Sequence, residues 1–338
     1  MDHPLKLGGF KILKDMAGFC LILPETPDSL PAAFCRLIAE KKINLPYITC
    51  IRKDRAWDMH ILVDAHDGLR TSLAIQENFG ETCNTQSKSA ILSIFPHKNN
   101  PEILGRLFEV LYGQGLQPEA LANSPSAISV VLEEELIIRA GNALFEPFYF
   151  SAYRTPEDWR SAQEGKELLY KEVVASYQEK RPKVYGFEYY DLQALFRFHV
   201  SGRDRIPTAG VLKDLAGLEI PLTFSAAGPC PDKTTSCISV CLPASGSHSF
   251  QKMIHRAAPE AALDIVSPVS VFSMNGPHFG DRYGIASGLL TALEGYGVDL
   301  LCLSCTIASV TGVVPSPQLD SALLAIQSFF EVPAVIKR

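Results

Sequence analysis

Residues 270–331 carry the pattern that most restricts the possible fold of this chain. A short apolar run precedes a loop rich in Gly, Asn, Asp and His, and a helix with apolar residues on one face follows. The pattern predicts a strand, a helix, two strands, a helix and a final strand at 270–274, 285–295, 300–307, 309–314, 318–330 and 332–336. A unit with this β-α-β-β-α-β order buries one face of a small sheet against two helices.

The same order fits three earlier stretches, which makes the chain a repeat. Their first strands and that of the last unit are predicted to begin near Gly18, Ala90, Leu192 and Ser270, at intervals of 72, 102 and 78 residues. The long middle interval contains an additional predicted helix. We therefore expect an α+β fold of four tandem ferredoxin-like βαββαβ modules. The predicted modules occupy 1–87, 88–149, 186–267 and 268–338, and 150–185 forms a connecting helix or linker.

Composition excludes several classes of function. The 338 residues are 47% hydrophobic and 20% charged, which is typical of globular proteins rather than disordered ones. A net charge of −6 argues against a nucleic-acid partner. No apolar run is long enough to span a membrane, and the first residues lack the layout of a signal peptide. Nine cysteines, an odd number scattered through predicted strands and helices, indicate reduced thiols in a cytoplasmic protein.

Motifs of catalysis and metal binding are missing. The sequence has no Walker phosphate loop, GxGxxG, HExxH or GxSxG. Cys302 and Cys305 have the spacing of a redox or zinc pair, but within one strand their sulfurs would face opposite sides. His60, His199 and His278 show no neighbouring cluster of carboxylates or cysteines. We therefore predict no catalytic residue, no metal ligand and no cofactor.

Several short motifs in the last repeat resemble the ACT domains in the regulatory part of aspartate kinases. They are Asn275-Gly276-Pro277 in the loop, Gly284-Ile285-Ala286 at the start of the helix, Gly297-Val298-Asp299 after it, and Leu303-Ser304. The first two repeats also resemble ACT domains. The third resembles them least, because Arg203, Asp204 and Arg205 stand where glycines are expected.

The resemblance implies an array of regulatory modules without a kinase domain. An aspartate kinase would need an amino-acid kinase domain with a glycine-rich phosphate loop, and the first residues offer only Gly8-Gly9. The expected function is therefore that of a non-enzymatic sensor that binds a small ligand, an amino acid, between ACT-like modules. The alternative is a structural, oligomerising or partner-binding protein whose modules no longer bind a ligand. An enzyme would need a convergent set of titratable residues, which the sequence does not reveal.

The loop of the last repeat is the candidate ligand site. ACT domains of this type bind amino acids against the loop after the first strand. A helix N-terminus also favours a carboxylate, since its first N–H groups are free and its dipole is positive there. Asp281 could receive an α-ammonium group. The predicted site residues are Asn275, Gly276, Pro277, His278, Gly280, Asp281, Gly284, Ile285, Ser304 and Thr306. The alternative is that the glycines and Asn275 only form a tight turn.

Assembly is the last expectation. The resemblance implies that modules pair side by side, so that antiparallel sheets join. The connecting helix favours two such pairs, and the last module's loop is then expected to face the third module. Exposed edge strands also favour self-association, so a homo-oligomer is expected, as a dimer. No nucleic-acid or membrane partner is expected.

Overall fold

The structure is a computed structural model. It describes residues 4–24, 30–53, 55–80, 83–96, 98–163, 181–230, 235–276, 283–306 and 309–338. All statements below concern this part of the chain.

The strands are numbered in chain order. They are β1 Leu5–Leu7, β2 Gly9–Pro24, β3 Tyr47–Lys53, β4 Ala56–Asp64, β5 Cys83–Phe95, β6 Ala120–Asn123, β7 Ile128–Glu133, β8 Phe148–Phe150, β9 Gly186–Ser201, β10 Phe224–Pro229, β11 Thr235–Pro243, β12 Asp264–Asn275, β13 Cys302–Thr306, β14 Ser309–Pro315 and β15 Val335–Lys337. The α-helices are α1 Leu30–Glu40, α2 Gly68–Phe79, α3 Pro101–Gly113, α4 Ile137–Ala143, α5 Pro156–Gln163, α6 Arg205–Gly217, α7 Ser247–Ala257, α8 Ile285–Gly295 and α9 Leu319–Phe329.

The strands form a closed ring. Its order is β11-β10-β6-β7-β5-β2-β4-β3-β13-β14-β12-β9, and β9 pairs back onto β11. The pairings around the ring are antiparallel, whereas β15 adds to β9 in parallel and β1 pairs with β8 in parallel. Closure gives each strand of the ring a neighbour on both sides and leaves no free edge there. The α+β class with a large, mostly antiparallel sheet is thus confirmed.

The ring is flattened into two sheets that face each other. We name the one centred on β4, β3, β13 and β14 the first sheet, and the one centred on β7, β6, β10 and β11 the second sheet. Two apolar clusters contain residues of both sheets, for example Ile51 and Cys302 with Phe224 in one, and Tyr47 with Val131 in the other. These clusters fill the space between the sheets.

Four long strands join the two sheets. Residues 9–13 of β2 pair with the end of β5 in the second sheet, whereas residues 16–24 pair with β4 in the first. β9 and β12 pass between the sheets in the same way on the opposite side. Register shifts mark the crossing in β2 and in β12. β5 is one continuous strand, and the predicted boundary between the first two modules, at residues 87 and 88, lies within it.

Helices cover the outer faces of both sheets. The core over the first sheet includes Phe34 of α1, Leu289 of α8 and Ile326 of α9. The core over the second includes Leu107 of α3 and Phe250 of α7. The molecule therefore has four layers: helices, sheet, sheet and helices. None of the described helices combines the length and the apolar character needed to cross a membrane.

Candidate functional site

The candidate site lies where α1 meets α8 across the first sheet. β3 and β13 pair antiparallel beneath these helices, with Thr49 opposite Ser304 and Ile48 opposite Cys305. This pairing joins residues that are about 250 positions apart, and it brings the start of α8 against α1. The start of α8 therefore lies against α1, in the predicted first module, whereas we expected the loop before it to face the third.

A small cleft lies between the two helices. Its lining residues come from α1, from the turn after it and from the first turn of α8: Cys35, Ile38, Ala39, Ile43, Leu45, Gly284, Ile285, Ala286, Ser287 and Cys305. The cavity of about 10 Å³ has room for about one water molecule. An amino acid would fit only if the cleft widened.

The first turn of α8 determines the electrostatic character of the cleft. Gly284 is the N-cap, with φ of 87°, a left-handed conformation that glycine adopts without strain. No side chain of the described residues caps this helix, and the first intrahelical bond runs from Gly288 N to Gly284 O at 2.9 Å. A helix leaves its first N–H groups without intrahelical acceptors, and its dipole is positive at this end. The cleft thus suits a carboxylate.

The two cysteines in the cleft do not oppose an anion. Burial raises the pKa of Cys35 to about 12. Burial, with a smaller contribution from Cys35, also raises the pKa of Cys305 well above its ordinary value. Both thiols are therefore neutral at physiological pH, and neither adds negative charge to the cleft.

The equivalent seam over the second sheet, between α3 and α6, has different chemistry. Here Asn100 caps α3 by accepting a hydrogen bond from Glu102 N at 2.9 Å. Gly105 packs so closely on α6 that a Cβ atom there would lie 2.7 Å from the Ala209 carbonyl oxygen. Because the start of α3 already has a side-chain cap and α3 packs closely on α6, we place the candidate site at the α1–α8 seam alone.

The predicted site residues divide into three groups. Gly284 and Ile285 line the cleft. Ser304 faces the space between the sheets, where its Oγ donates to Asn123 O at 3.3 Å, and Thr306 Oγ1 bonds Ser309 within its own hairpin. Asn275 ends β12 and Gly276 follows it, and the buried side-chain oxygen of Asn275 has no hydrogen-bond partner among the described residues. Pro277, His278, Gly280 and Asp281 lie outside the described residues.

Sequence reasoning missed the α1 side of the cleft. Cys35, Ile38 and Ala39 looked like ordinary core residues of an amphipathic helix. Only the β3–β13 pairing places them against Gly284. No signal in the sequence identifies which repeats pair, so these residues could not have been found from it.

Comparison with solved structures shows what this architecture is similar to. Aspartate kinase from Synechocystis superposes with a TM-score of 0.76 and 18% sequence identity over 97% of this chain. The chain shares its fold with this enzyme. It spans 58% of the enzyme's length. The sequence matches no protein-family model. A search of curated proteins also found no match.

Two other solved structures align with less than half of the chain. The regulatory subunit of aspartate kinase from Thermus thermophilus covers 44% of this chain and 99% of its own, at 14% identity and a TM-score of 0.38. Aspartokinase III from E. coli, solved in complex with aspartate and ADP, covers 45% of this chain and 34% of its own, at 14% identity and a TM-score of 0.34.

These comparisons correct three sequence-based expectations. We expected a resemblance to the regulatory region alone, a non-enzymatic sensor or structural protein, and no enzyme. The match over 97% of the chain is instead with aspartate kinase from Synechocystis, an enzyme, of which the chain spans 58%. Those expectations rested on missing motifs, above all the glycine-rich phosphate loop.

Proposed function

We propose that this chain functions in an enzyme of the aspartate kinase type, and that the α1–α8 cleft binds an amino acid that controls phosphoryl transfer. The superposition over 97% of the chain is the observation that carries this proposal. The chain spans only 58% of the length of the Synechocystis enzyme. The kinase activity is therefore proposed for this chain and does not follow from the shared fold.

The finer architecture belongs to the same proposal. We infer four ACT-like modules at 1–87, 88–149, 186–267 and 268–338, with 150–185 between them. The recurring β-α-β-β-α order and the paired seams support this division. In this arrangement the first and fourth modules share one sheet, and the second and third share the other.

Two features support an amino acid as the ligand. The uncapped start of α8 offers backbone N–H groups to a carboxylate. The apolar lining from Ile38, Ile43 and Leu45 would contact a small side chain. Since the cavity is small, ligand binding must separate α1 from α8, and that movement would change the first sheet's helical layer.

The formation of a homo-oligomer remains a prediction.

The kinase part of the proposal is tested by a direct assay. The protein is incubated with ATP, Mg²⁺ and L-aspartate, and hydroxylamine traps any acyl phosphate. We expect ADP and aspartyl hydroxamate to form together, and amino acids to change the rate. Failure to form hydroxamate with any amino-acid acceptor would contradict a kinase function.

The ligand part is tested at Ser287, in the first turn of α8. Ser287→Glu places a carboxylate where the ligand's own carboxylate would bind, while Ser287→Gln keeps the size without the charge. A ligand at about 100 times its Kd stabilises a protein by about 2.7 kcal/mol. We expect an amino acid to raise the unfolding temperature of the wild type and the Gln variant but not of the Glu variant. Equal ligand responses of the two variants would refute this site.

A further inference from the structure

A thiol, a carboxylate and an imidazole converge at a second place, away from the α1–α8 cleft. Cys20 lies on β2 and its neighbour across the strand pair is His60 on β4. Asp58 precedes His60 by two residues, so both side chains lie on the same face of β4. One ligand atom from each of the three lies within 4.8 Å of the others.

The geometry does not fit a catalytic triad. In a triad, the nucleophile and the carboxylate contact different nitrogens of the histidine ring. Here Cys20 Sγ lies 4.0 Å from His60 Nε2, and Asp58 Oδ1 lies 3.2 Å from the same nitrogen. Among the described residues, that buried Asp58 oxygen has no hydrogen-bond partner of good geometry. The three groups are close enough together to share one metal ion.

The distances suit a tetrahedral zinc site. Zn–S bonds of about 2.3 Å and Zn–N and Zn–O bonds of about 2.0 Å place a sulfur and a nitrogen ligand about 3.6 Å apart, and a nitrogen and an oxygen ligand about 3.3 Å apart. The observed separations of 4.0 and 3.2 Å differ from these by a few tenths of an ångström. Small rotations of the side chains would close the difference.

The backbone of the second sheet packs closely on one side of the His60 ring. Gly228 of β10, in the second sheet, faces His60, and a Cβ atom at Gly228 would lie 2.4 Å from Nε2. The side chain of His60 is 8% exposed and that of Asp58 is 22% exposed. The site is thus enclosed by both sheets but open to solvent on the Asp58 side.

From this arrangement we propose that Cys20, Asp58 and His60 bind a divalent transition metal, with Zn²⁺ as the ion that their mixed sulfur, nitrogen and oxygen donors select. The three side chains fill three tetrahedral positions, and the fourth faces solvent. Binding would displace the thiol proton of Cys20. The ion would hold β2 to β4, close to where both meet the second sheet.

The test uses the full chain, freed of metal by a chelator and then titrated with Zn²⁺ alone. We expect one Zn²⁺ per chain and a higher unfolding temperature with the metal. Co²⁺ serves as a spectroscopic probe, because thiolate coordination gives a near-ultraviolet charge-transfer band and tetrahedral geometry gives intense visible bands. Cys20→Ser should abolish the charge-transfer band and weaken Zn²⁺ binding by more than about 100-fold, since even outer-shell partners contribute 10- to 100-fold.

Matched controls separate the site from general effects. His66 and Asp67 form another histidine–carboxylate pair, 3.3 Å apart but without a thiol, so His66→Gln should bind Zn²⁺ like the wild type. Cys35→Ser removes a buried thiol elsewhere and should keep the cobalt band. Asp58→Asn, which preserves shape, replaces Cys20→Ser if the latter fails to fold, and it should weaken binding. Undiminished Zn²⁺ binding in either ligand variant, or no binding by the wild type, would overturn the proposal.

Discussion

At the scale of single residues, Asp191 stabilises the place where β9 passes between the sheets. Its Oδ1 accepts hydrogen bonds from Ser270 Oγ at 2.6 Å, Leu192 N at 2.8 Å and Ser316 Oγ at 2.9 Å. The Ser270 bond is the largest cause that lowers the pKa of Asp191, and burial opposes it. A carboxyl group with a lowered pKa stabilises the fold above its ordinary pKa, and this contribution is lost as the pH falls through the folded value.

We therefore predict that Asp191→Asn lowers the free energy of unfolding at neutral pH by about 1 kcal/mol, a modest effect because the group is partly exposed. The difference from the wild type should shrink below about pH 4. Urea unfolding from neutral pH down to about pH 3 measures it. Ser316→Ala, which removes one of the three donors, should show a smaller change of the same sign. If the free energy of unfolding falls with decreasing pH by the same amount in the wild type and in Asp191→Asn, the Asp191 carboxylate does not contribute to the pH dependence of stability.

The next residue, Leu192, has an unfavourable backbone conformation. Its φ is 53°, and its side chain is 64% exposed, so it gains little from burial. Left-handed geometry costs most L-residues about 1–2 kcal/mol, whereas asparagine tolerates it. We predict that Leu192→Asn raises the free energy of unfolding by about 0.5–1 kcal/mol. Leu192→Val, which is β-branched, should lower it. Chemical denaturation of the three proteins checks the order, and a Val variant as stable as the Asn variant would contradict it.

At the scale of elements, the packing of α3 on α6 depends on Gly105 and not on Gly210, although both glycines lie in these helices. Gly105 touches the α6 backbone, but a Cβ atom at Gly210 would meet nothing within 4 Å. We predict that Gly105→Ala lowers the free energy of unfolding by about 1–3 kcal/mol through overpacking. Gly210→Ala should raise it by up to about 1 kcal/mol through helix propensity. Thermal unfolding of both variants tests this, and equal effects would show that the seam is loosely packed.

The elements themselves were well predicted from local patterns. Apolar spacing between Gly284 and Tyr296 predicted the observed bounds of α8. The last strand of the first unit and the first strand of the second are one strand, β5. Its continuity could not be predicted, because a strand that passes from one sheet to the other keeps the ordinary alternation of apolar and polar side chains. The pairing of β3 with β13, which are far apart in the sequence, could not be predicted from local patterns either. The candidate site was therefore predicted on its α8 side only, since its α1 side depends on that long-range pairing.

At the scale of the molecule, the closed ring alters the argument about assembly. The expected self-association rested partly on exposed edge strands. In the described part of the chain, the edges pair within the ring, and β9 closes onto β11 through nine residue pairs. Edge-to-edge addition of the described ring strands therefore cannot explain an oligomer of this chain. In the described part of the chain, the open strand edges are those of β15 and of the β1–β8 pair.

The ring also predicts that the whole molecule unfolds as one unit. β2, β5, β9 and β12 each belong to both sheets, so neither sheet can unfold without exposing the interior of the other. Leu107 lies in the helical core over the second sheet and Leu289 in that over the first, and both are fully buried. Truncating either leucine to alanine should cost about 2–5 kcal/mol. We predict that each variant shifts one common calorimetric transition.

Hydrogen exchange provides the residue-level check of this prediction. In Leu107→Ala, amides of β13 and β14 in the first sheet should lose protection together with those of β6 and β7 in the second. Two separate transitions, each sensitive to only one substitution, would mean that the crossing strands do not couple the sheets. Because movement of α1 against α8 could then not reach the second sheet, the same result would restrict any amino-acid signal to the first sheet and its helices.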